Sequence, residues 1–367
     1  MNFWQTLPKP IFALAPMADV TDCAFREIFA RYGKNPHSAS SLKKEEGTAA
    51  SSPLLSPLAL CGGEIKTVAL PRGEGLGEGE FVMFTEFVNV DGLLHPTGFE
   101  RLKVDLEYTE AQRPIVAQIW GRDPEKFYQA AKIIAGMRFD GIDINFGCPQ
   151  DKEISQKTCA ALIREPELAG EIIDATIKGA DTLPVSVKTR LGYSKASEMQ
   201  DWLSDLLKYP LAAITIHART KQEKSKVPAR WEKITEAVKI RDSLASQTLI
   251  IGNGDIKTRG ELFARISETK ADGAMIGRGA FGNPWIFRRD GYRPSIKERM
   301  QVMLEHAELF EKIFAGTKSF INMRKNFKAY TLLGFNGVGE LRVRLMKVGS
   351  AQEAKTAVDA VLRQDNL

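Results

Sequence analysis

The sequence predicts a (β/α)8 barrel, an α/β fold, followed by a small helical unit at its C-terminal end. Short segments rich in apolar and β-branched residues recur between residues 11 and 276, and helix-like stretches separate them. This alternation is typical of βαβ units in a parallel sheet. Eight such segments within about 280 residues match the size of the barrel. After Trp285 the strand pattern stops, whereas helical periodicity continues.

Local patterns define the individual elements. Strands are predicted at residues 11–15, 81–88, 115–119, 141–145, 185–189, 213–217, 248–252 and 273–276. Amphipathic patterns predict helices at residues 123–136, 165–179, 199–208 and 258–269 in the barrel, and at residues 296–314, 319–333 and 339–346 after it. We therefore expect a barrel domain at residues 1–292 and a helical domain at residues 293–367. A doubly wound open sheet is the alternative arrangement of the same strands.

Residues suited to binding or chemistry follow nearly all of these strands. They are Pro16 and Met17, Glu86, Gln118, Asn145 and Cys148, Lys188 and Arg190, His217 and Arg219, Asn253 and Asp255, and Gly277 and Arg278. In a barrel the carboxyl ends of all strands meet on one face, where the active sites of this fold lie. An open sheet would spread the same residues along a line too long for one small ligand. The pattern therefore favours the barrel and predicts a single site at its mouth.

Two glycine-containing loops follow the seventh and eighth strands. Gly-Asn-Gly-Asp at residues 252–255 and Gly-Arg-Gly at residues 277–279 let backbone N–H groups approach an anion closely. These loops are the usual phosphate site of the barrel, where a helix N-terminus adds its dipole. We therefore expect a phosphorylated ligand, against the alternative that both loops are only tight turns.

Three further strand-end residues suit a flavin. A Lys such as Lys188 beside the N1–C2=O region of a flavin can stabilise negative charge on the reduced ring. Gln118 offers a flavin edge both a donor and an acceptor. His217 precedes Arg219 at a strand end, which favours a ligand contact over the alternative of a purely structural histidine.

Cys148 stands just after the fourth strand in the sequence Asn-Phe-Gly-Cys-Pro. Pro149 cannot extend a β-ladder, so the chain turns and presents the thiol at the barrel mouth. No second cluster of Cys and His is spaced to form a zinc site, and no His–Asp arrangement marks a protease-type nucleophile. Beside a flavin, general acid is the remaining role. Cys23 and Cys159 are expected to be small buried hydrophobes.

The charge of the chain is uneven. The net charge is +5, yet residues 288–347 contain thirteen Lys and Arg against six Asp and Glu, so the remainder sums to −2. A basic appendage on a near-neutral body is typical of a polyanion-binding module. A solvated helical face without a partner would show the same bias, so charge alone leaves both interpretations open.

Composition argues against membrane and secreted classes. No run approaches the roughly 18 apolar residues of a membrane span. Residues 1–10 lack the layout of a secretory signal, and four cysteines without paired spacing fit a reducing cytoplasm better than a disulfide framework. We expect a cytoplasmic monomer.

Motifs along the chain resemble those of the tRNA-dihydrouridine synthases. The matching stretches are residues 15–22 (APMADVTD), 143–149 (DINFGCP), 187–190 (VKTR), 216–220 (IHART), 253–255 (NGD), 276–279 (IGRG) and 323–325 (MRK). The resemblance covers nearly the whole chain except residues 35–80. The Asn-x-Gly-Cys-Pro element is a specific part of it.

The resemblance implies an activity and its site. FMN would lie at the barrel mouth, NADPH would reduce it, and a uracil in tRNA would become dihydrouridine, with Cys148 protonating C5. The basic helical domain would bind the phosphates of the RNA. Positions matching FMN contacts are Pro16, Met17, Ala18, Gln118, Lys188, His217, Asn253, Gly254, Asp255, Gly277 and Arg278. Substrate contacts are expected from Asn145 and Arg190, which would place the base, and from Arg219, Arg324 and Lys325.

Three features depart from the family pattern. Asp19 stands where the family usually has Gly, and residues 157–159 (Lys-Thr-Cys) replace a glycine-containing stretch. Since glycine permits backbone geometries that other residues resist, we expect reshaped turns there and an effect on activity. Residues 35–80, rich in Ser, Gly, Pro, Ala and Leu, are expected to be a disordered or loosely packed insertion, with an RNA-contacting loop as the alternative. Cys61 within it is expected to be an incidental thiol.

Two other functions stay open at this point. One is an FMN-dependent barrel reductase that acts on a free pyrimidine or an enone without RNA. The other is a catalytically inactive barrel that binds tRNA. The basic C-terminal region argues against the first.

Overall fold

The computed structural model describes residues 2–34, 80–288, 291–332 and 334–362. Within them, short parallel strands form one sheet. The strands are β1 Ile11–Leu14, β2 Met83–Phe84, β3 Val88–Asn89, β4 Ile115–Trp120, β5 Gly141–Asn145, β6 Val185–Arg190, β7 Ala213–His217, β8 Leu249–Asn253 and β9 Gly273–Ile276. Their positions agree with the predicted strands, except that residues 81–88 form two pieces. The predicted insertion, apart from Glu80, and Cys61 lie outside the described residues.

The sheet closes into a ring. Its order is β1-β9-β8-β7-β6-β5-β4-β2, and every neighbouring pair is parallel. The last gap is bridged where Ala13 pairs with Val82. There the Val82 N–H donates to the Phe12 carbonyl at 2.8 Å, and the Leu14 N–H donates to the Val82 carbonyl at 2.9 Å. The (β/α)8 barrel is therefore confirmed, and the open sheet is not what forms.

The second predicted strand is interrupted by a side chain. Residues 81–88 form β2 and β3, which both pair with β4. Between them the Thr85 hydroxyl, instead of a backbone carbonyl, accepts the Gln118 N–H at 3.1 Å. This contact breaks the regular ladder. Phe87, which follows the break, lines the cavity at the barrel mouth.

Helices surround the barrel and continue after it. They are α1 Phe3–Thr6, α2 Cys23–Phe29, α3 Val90–Leu94, α4 Pro96–Leu102, α5 Pro124–Gly136, α6 Asp151–Ser155, α7 Pro166–Ala180, α8 Met199–Leu206, α9 Glu232–Ser243, α10 Arg259–Thr269, α11 Ile296–Phe314, α12 Arg324–Tyr330, α13 Val338–Leu345 and α14 Ala351–Leu362. Side chains of Asp22, Asp123, Thr258 and Ser295 accept backbone N–H groups at the starts of α2, α5, α10 and α11. Such caps satisfy donors that the helix itself cannot pair. No helix among the described residues is long and apolar enough to cross a membrane.

The sequence predicts α11, α12 and α13 but not α14. The predicted helix at residues 319–333 is a 3-10 turn, Phe320–Met323, followed by α12. In α14 the buried residues Ala354, Val358 and Val361 recur at helical spacing, so periodicity could have shown this helix as well.

Two apolar clusters lie next to the barrel, one at the start of its strands and one between α2 and the C-terminal helices. Trp4 of α1 is buried with the inward-facing side chains of the strands and lies near Phe84, so α1 closes the barrel at the end opposite the carboxyl ends. Helices α11–α14 share their core with Cys23, Ala24 and Ile28 of α2. The C-terminal helices are therefore packed on the helix that follows β1. The division at residues 292 and 293 stays a prediction.

Candidate active site

A cavity of about 1120 Å³ opens at the carboxyl ends of the strands. It brings together all predicted cofactor contacts, the predicted acid and three of the predicted substrate contacts. These are Pro16, Met17, Ala18, Gln118, Asn145, Cys148, Lys188, Arg190, His217, Arg219, Asn253, Gly254, Asp255, Gly277 and Arg278. Phe87, Lys257, Arg265 and Met275 also line it, although the sequence analysis did not single them out. Phe87 follows the strand-end residue Glu86, so its position in the chain could have indicated it.

Two predicted substrate contacts do not line the cavity. Lys325 lies beside it, with Nζ 3.2 Å from the carboxylate of Asp19 on the loop after β1. Arg324 is the first residue of α12. Both side chains thus belong to the C-terminal helices, and their contact with RNA stays a prediction.

The turn that carries Cys148 is held from two sides. The Asn145 Oδ1 accepts the N–H groups of Gly147 and Cys148, each at 3.0 Å. From β6, the Arg190 Nε donates to the Gly147 carbonyl at 2.7 Å. Cys148 itself is half-buried and faces the cavity. The geometry places a thiol at the mouth in a fixed turn, as the Asn-x-Gly-Cys-Pro pattern predicts.

A second cysteine lies against Cys148. The thiol of Cys159 donates a hydrogen bond to Cys148 and thereby lowers the pKa of Cys148, while burial of Cys148 opposes this shift. Cys159 is fully buried, and this burial holds the pKa of its own thiol well above the usual value. Cys159 therefore stays protonated and acts as a donor. The expected small buried hydrophobe is buried but also contacts the predicted acid.

The residues that depart from the family pattern occupy glycine-like backbone. Asp19, Lys157 and Cys159 have φ values of 55°, 55° and 54°, in the left-handed region where a Cβ atom is strained. These turns have a backbone that glycine would favour, and the side chains adopt it at a cost. The reshaping of the turns and its effect on activity stay predictions.

Lys188 is a half-buried cation in the wall of the cavity. Desolvation, followed by the positive charge of Arg190, lowers the pKa of Lys188 to about 8, whereas the Asp143 carboxylate opposes this shift. The Lys188 Nζ lies 3.4 Å from the Asn253 Oδ1. A partly desolvated ammonium with so little anionic compensation is suited to a ligand that carries or develops negative charge nearby.

His217 is a neutral imidazole beside this cation. Burial, followed by the charges of Arg190 and Lys188, holds the pKa of His217 well below its usual range. The Arg219 Nη1 lies 3.0 Å from the His217 Nε2. Because a guanidinium can only donate, the Nε2 is the acceptor and the proton of the ring is on Nδ1.

Arg219 is buried and binds protein groups. It is 2% exposed and donates to the Asp255 carboxylate and, at 2.6 Å, to the Val227 carbonyl. Burial would raise the pKa of Asp255, but the bonds from Arg219 and the Ala229 N–H lower it below its usual value. Asp255 also holds Arg278 at 2.9 Å. Arg219 is thus placed to orient His217, Asp255 and, through Asp255, Arg278.

The loops after β8 and β9 need glycine at two positions. Gly254 has a φ of 135°, which residues with a side chain rarely adopt. At Gly279 a Cβ atom would lie 2.3 Å from the Ile256 carbonyl oxygen. Both loops line the cavity. Arg278 is part of the second loop, and its side chain is 63% exposed. Backbone N–H groups and a guanidinium are the donor set that phosphate requires.

Comparison with known proteins identifies the family. The profile of the family described as Dihydrouridine synthase (Dus) matches residues 13–366. A probable tRNA-dihydrouridine synthase of Staphylococcus aureus is 36% identical over 98% of this chain and 95% of its own length. The chain belongs to the dihydrouridine synthase family. A probable tRNA-dihydrouridine synthase 2 of Bacillus subtilis is 36% identical over 98% of the chain and 96% of its own length.

Solved structures similar to this dihydrouridine synthase family member are more distant. Morphinone reductase in complex with tetrahydroNAD is 13% identical, with a TM-score of 0.45 over 79% of this chain and 89% of its own. Histamine dehydrogenase from Rhizobium sp. 4-9 is 12% identical, with a TM-score of 0.44 over 63% of this chain and 45% of its own.

In this family member a carboxylate on β5 is buried below the cavity. Asp143 is inaccessible to solvent and does not line the cavity. Burial raises the pKa of Asp143 to about 6, although hydrogen bonds from Ser186 and Gln118 lower it. Asp143 opens the motif at residues 143–149 that resembles the family, but the sequence predicts no role for it.

A second buried carboxylate, Glu86, joins the barrel to the C-terminal helices. The Glu86 carboxylate accepts the backbone N–H of Asp19 and, at 2.5 Å, the Nζ of Lys318, which follows α11. Lys318 also lies 2.6 Å from Asp105. Burial and the nearby charges of Asp105 and Asp22 raise the pKa of Glu86 to about 7, although Lys318 lowers it. The loop after β1, which lines the cavity, is therefore bonded indirectly to the C-terminal helices.

Proposed function

We propose that the chain is a tRNA-dihydrouridine synthase that uses FMN and NADPH to reduce the C5–C6 double bond of a uracil in tRNA. One observation carries the proposal. A half-buried thiol, a half-buried Lys and two glycine loops line the same cavity in a member of the dihydrouridine synthase family. The relatives named as probable tRNA-dihydrouridine synthases match almost the whole chain.

The lining of the cavity fits FMN. The loops at Gly254 and Gly277, with Arg278, would hold the phosphate through backbone N–H groups and one guanidinium. Gln118 and Lys188 would contact the ring, together with His217 and the loop residues Pro16, Met17 and Ala18. When bound, FMN supplies the hydride chemistry for the pyrimidine. The low pKa of Lys188 supports this placement, because an anionic ring edge would compensate a partly desolvated ammonium.

Cys148 is the proposed general acid. Its thiol would give its proton to C5 of the uracil, completing the reduction. Asn145 fixes the turn that carries Cys148, and Asn145 and Arg190 would place the base. Because the thiol must be protonated to act, the reaction is expected to slow as the pH rises through the pKa of Cys148.

The RNA is the proposed substrate because of shape and charge. A uracil stacked in folded RNA cannot reach the bottom of a cavity, so the nucleotide must be turned out into it. Lys325 lies beside the cavity on α12, and Arg324 precedes it. We propose that these residues contact phosphates, which makes binding weaker at higher salt. The enzyme would act as a cytoplasmic monomer.

The test is Cys148→Ala. The variant is expected to keep its bound flavin and its affinity for tRNA. Its rate of dihydrouridine formation is expected to fall by about 100-fold or more, the usual size of a general-acid contribution. Cys23→Ala is the matched control, because Cys23 is buried away from the cavity. Dihydrouridine is measured by mass spectrometry of digested tRNA. Near-normal product from Cys148→Ala, or a purified protein that does not bind FMN, would contradict the proposal.

A further inference from the structure

A chain of side-chain hydrogen bonds runs beneath the cavity. The Asp143 Oδ2 accepts the Nε2–H of Gln118 at 2.7 Å. The Gln118 Oε1 accepts the Nδ2–H of Asn145 at 3.1 Å. The Asn145 Oδ1 in turn accepts the N–H groups of Gly147 and Cys148. The chain therefore links a residue outside the cavity to the turn that carries the thiol.

Asp143 fixes the direction of this chain at one end, as the two backbone N–H groups of the turn do at the other. An amide can present either its oxygen or its NH2 group, and only its partners decide which. An ionised carboxylate accepts and does not donate, so Gln118 must turn its NH2 group toward Asp143 and its oxygen toward Asn145. Asn145 must then turn its NH2 group toward Gln118. Its oxygen is left for the two backbone N–H groups of the turn.

The position of Asp143 is itself well determined. Its second oxygen, Oδ1, accepts the Ser186 hydroxyl of β6 at 2.6 Å. Asp143, Gln118 and Ser186 are buried on three adjacent strands, β5, β4 and β6. Rotation of the carboxylate would break one of two short bonds between buried groups, which is costly.

We propose that Asp143 is a positioning residue for the reaction, because it sets the orientation of the Gln118 and Asn145 amides and through them the turn of Cys148. The inference rests on the proposed function, in which Gln118 contacts FMN, Asn145 places the base and Cys148 is the acid. Asp143 touches none of the reacting groups. It acts through the two amides.

The role requires an acceptor at residue 143 and not a negative charge. Asn at this position can direct its oxygen to Gln118 and donate its NH2 group to the Ser186 hydroxyl, so the chain keeps its direction. Leu has nearly the same shape but no acceptor. The Gln118 amide would then be free to rotate, and a buried donor would lose its partner.

The experiment compares Asp143→Leu, Asp143→Asn and a matched control, Asp272→Leu. Asp272 is a half-buried carboxylate beside the sheet that also holds several donors. It accepts the Ile250 N–H, Arg241 and Lys9 near the start of β8, at the opposite end of the barrel. The first measurement is the rate of Cys148 alkylation by iodoacetamide, resolved by peptide mass spectrometry. The second is the turnover of tRNA to dihydrouridine.

Asp143→Leu is expected to raise the alkylation rate of Cys148 about fivefold and to lower turnover about tenfold, the effect of losing one or two buried hydrogen bonds. Asp143→Asn is expected to stay within about twofold of the wild type in both. Asp272→Leu is expected to lower the melting temperature without changing the alkylation of Cys148. If Asp143→Leu does not fold, Asp143→Ala removes the acceptor without added bulk.

Three results would overturn the inference. The first is an unchanged alkylation rate of Cys148 in Asp143→Leu. The second is a change in Asp143→Asn as large as in Asp143→Leu, which would show that the charge matters. The third is a change in Asp272→Leu as large as in Asp143→Leu, which would show a general loosening of the fold. The proposed function fails separately. Wild-type protein that forms no dihydrouridine would contradict that function, while the alkylation rates of the variants would still test the positioning role.

Discussion

The two sides of the cavity are held together by different chemistry. One side, which we call the amide side, is a chain of hydrogen bonds. It runs from the amide of Asn145 through the amide of Gln118 to the buried carboxylate of Asp143. On the other, the ion side, Lys318 lies between the carboxylates of Glu86 and Asp105. On the amide side, the Gln118 amide and the Ser186 hydroxyl donate to the carboxylate, and no cation forms an ion pair with it among the described residues. The ion side depends on a single ammonium, so removal of that group leaves buried carboxylates without compensation.

The two sides also differ in what they connect. The amide side joins neighbouring strands of the barrel, and its residues lie within 27 positions of one another. Glu86 and Lys318 are 232 positions apart, and Lys318 belongs to the C-terminal helices. The amide side thus orients groups inside the cavity. The ion side fixes the loop after β1 against the helices that are proposed to bind RNA.

The largest expected effect is on the ion side. Lys318→Met should lower the free energy of unfolding by about 3 kcal/mol, because breaking a buried ion pair leaves uncompensated charge. Urea unfolding measures this, and Lys312→Met, at an exposed position of α11, should change it by less than about 0.5 kcal/mol. If Lys318→Met lowers the free energy of unfolding no more than Lys312→Met does, the ion side does not depend on this ammonium.

The same variant has an expected dependence on pH. Glu86 is faced by Lys318, Asp105 and Asp22. Burial and the two neighbouring carboxylates raise its pKa to about 7 even though Lys318 lowers it. Without Lys318 the pKa in the folded protein rises further. A group whose pKa is raised by folding stabilises the fold when protonated, so this stabilisation is lost as the pH rises through that pKa. The deficit of Lys318→Met should therefore shrink below pH 7 and grow above it.

A smaller effect is expected at Cys148, whose turn the amide side holds. Cys159→Ala removes the hydrogen bond that lowers the pKa of Cys148, so that pKa should rise. The thiol would then stay protonated to higher pH, and the alkaline fall in turnover should move to higher pH. The pH profiles of dihydrouridine formation and of Cys148 alkylation both report it. Cys23→Ala should leave both profiles in place, and a shift of the Cys159→Ala profile to lower pH would count against the contact.

The smallest expected effect concerns backbone strain near Cys148. Lys157 has an exposed side chain and a φ of 55°, so Lys157→Gly should raise the free energy of unfolding by about 0.5 to 1 kcal/mol. Lys152→Gly, within α6, should lower it by about 1 kcal/mol because glycine is a poor helix former. Urea unfolding of the two variants measures both free energies. If both variants are destabilised alike, the left-handed backbone at Lys157 is not strained.

Much of the site could be predicted because the barrel converts positions in the chain into positions in space. Residues after parallel strands must meet at one mouth, so the strand ends alone placed Gln118, Lys188 and His217 in one cavity. Arg219 shows where this reasoning stops. Its position after β7 was predicted, but not that its guanidinium is buried on His217 and Asp255. The rotamer of a long side chain depends on neighbours from other strands.

Pattern and spacing along this chain determined the barrel, the helices around it and the set of side chains at its mouth, because these depend on local periodicity and on strand order. Only the tertiary structure decided how those side chains are held. The contact of Cys159 with Cys148, the direction of the amide chain above Asp143 and the place of Lys318 between two carboxylates all join segments that periodicity cannot relate. Hydrogen bonds and ion pairs form between whichever groups packing brings within about 3 Å, and packing is a property of the whole fold.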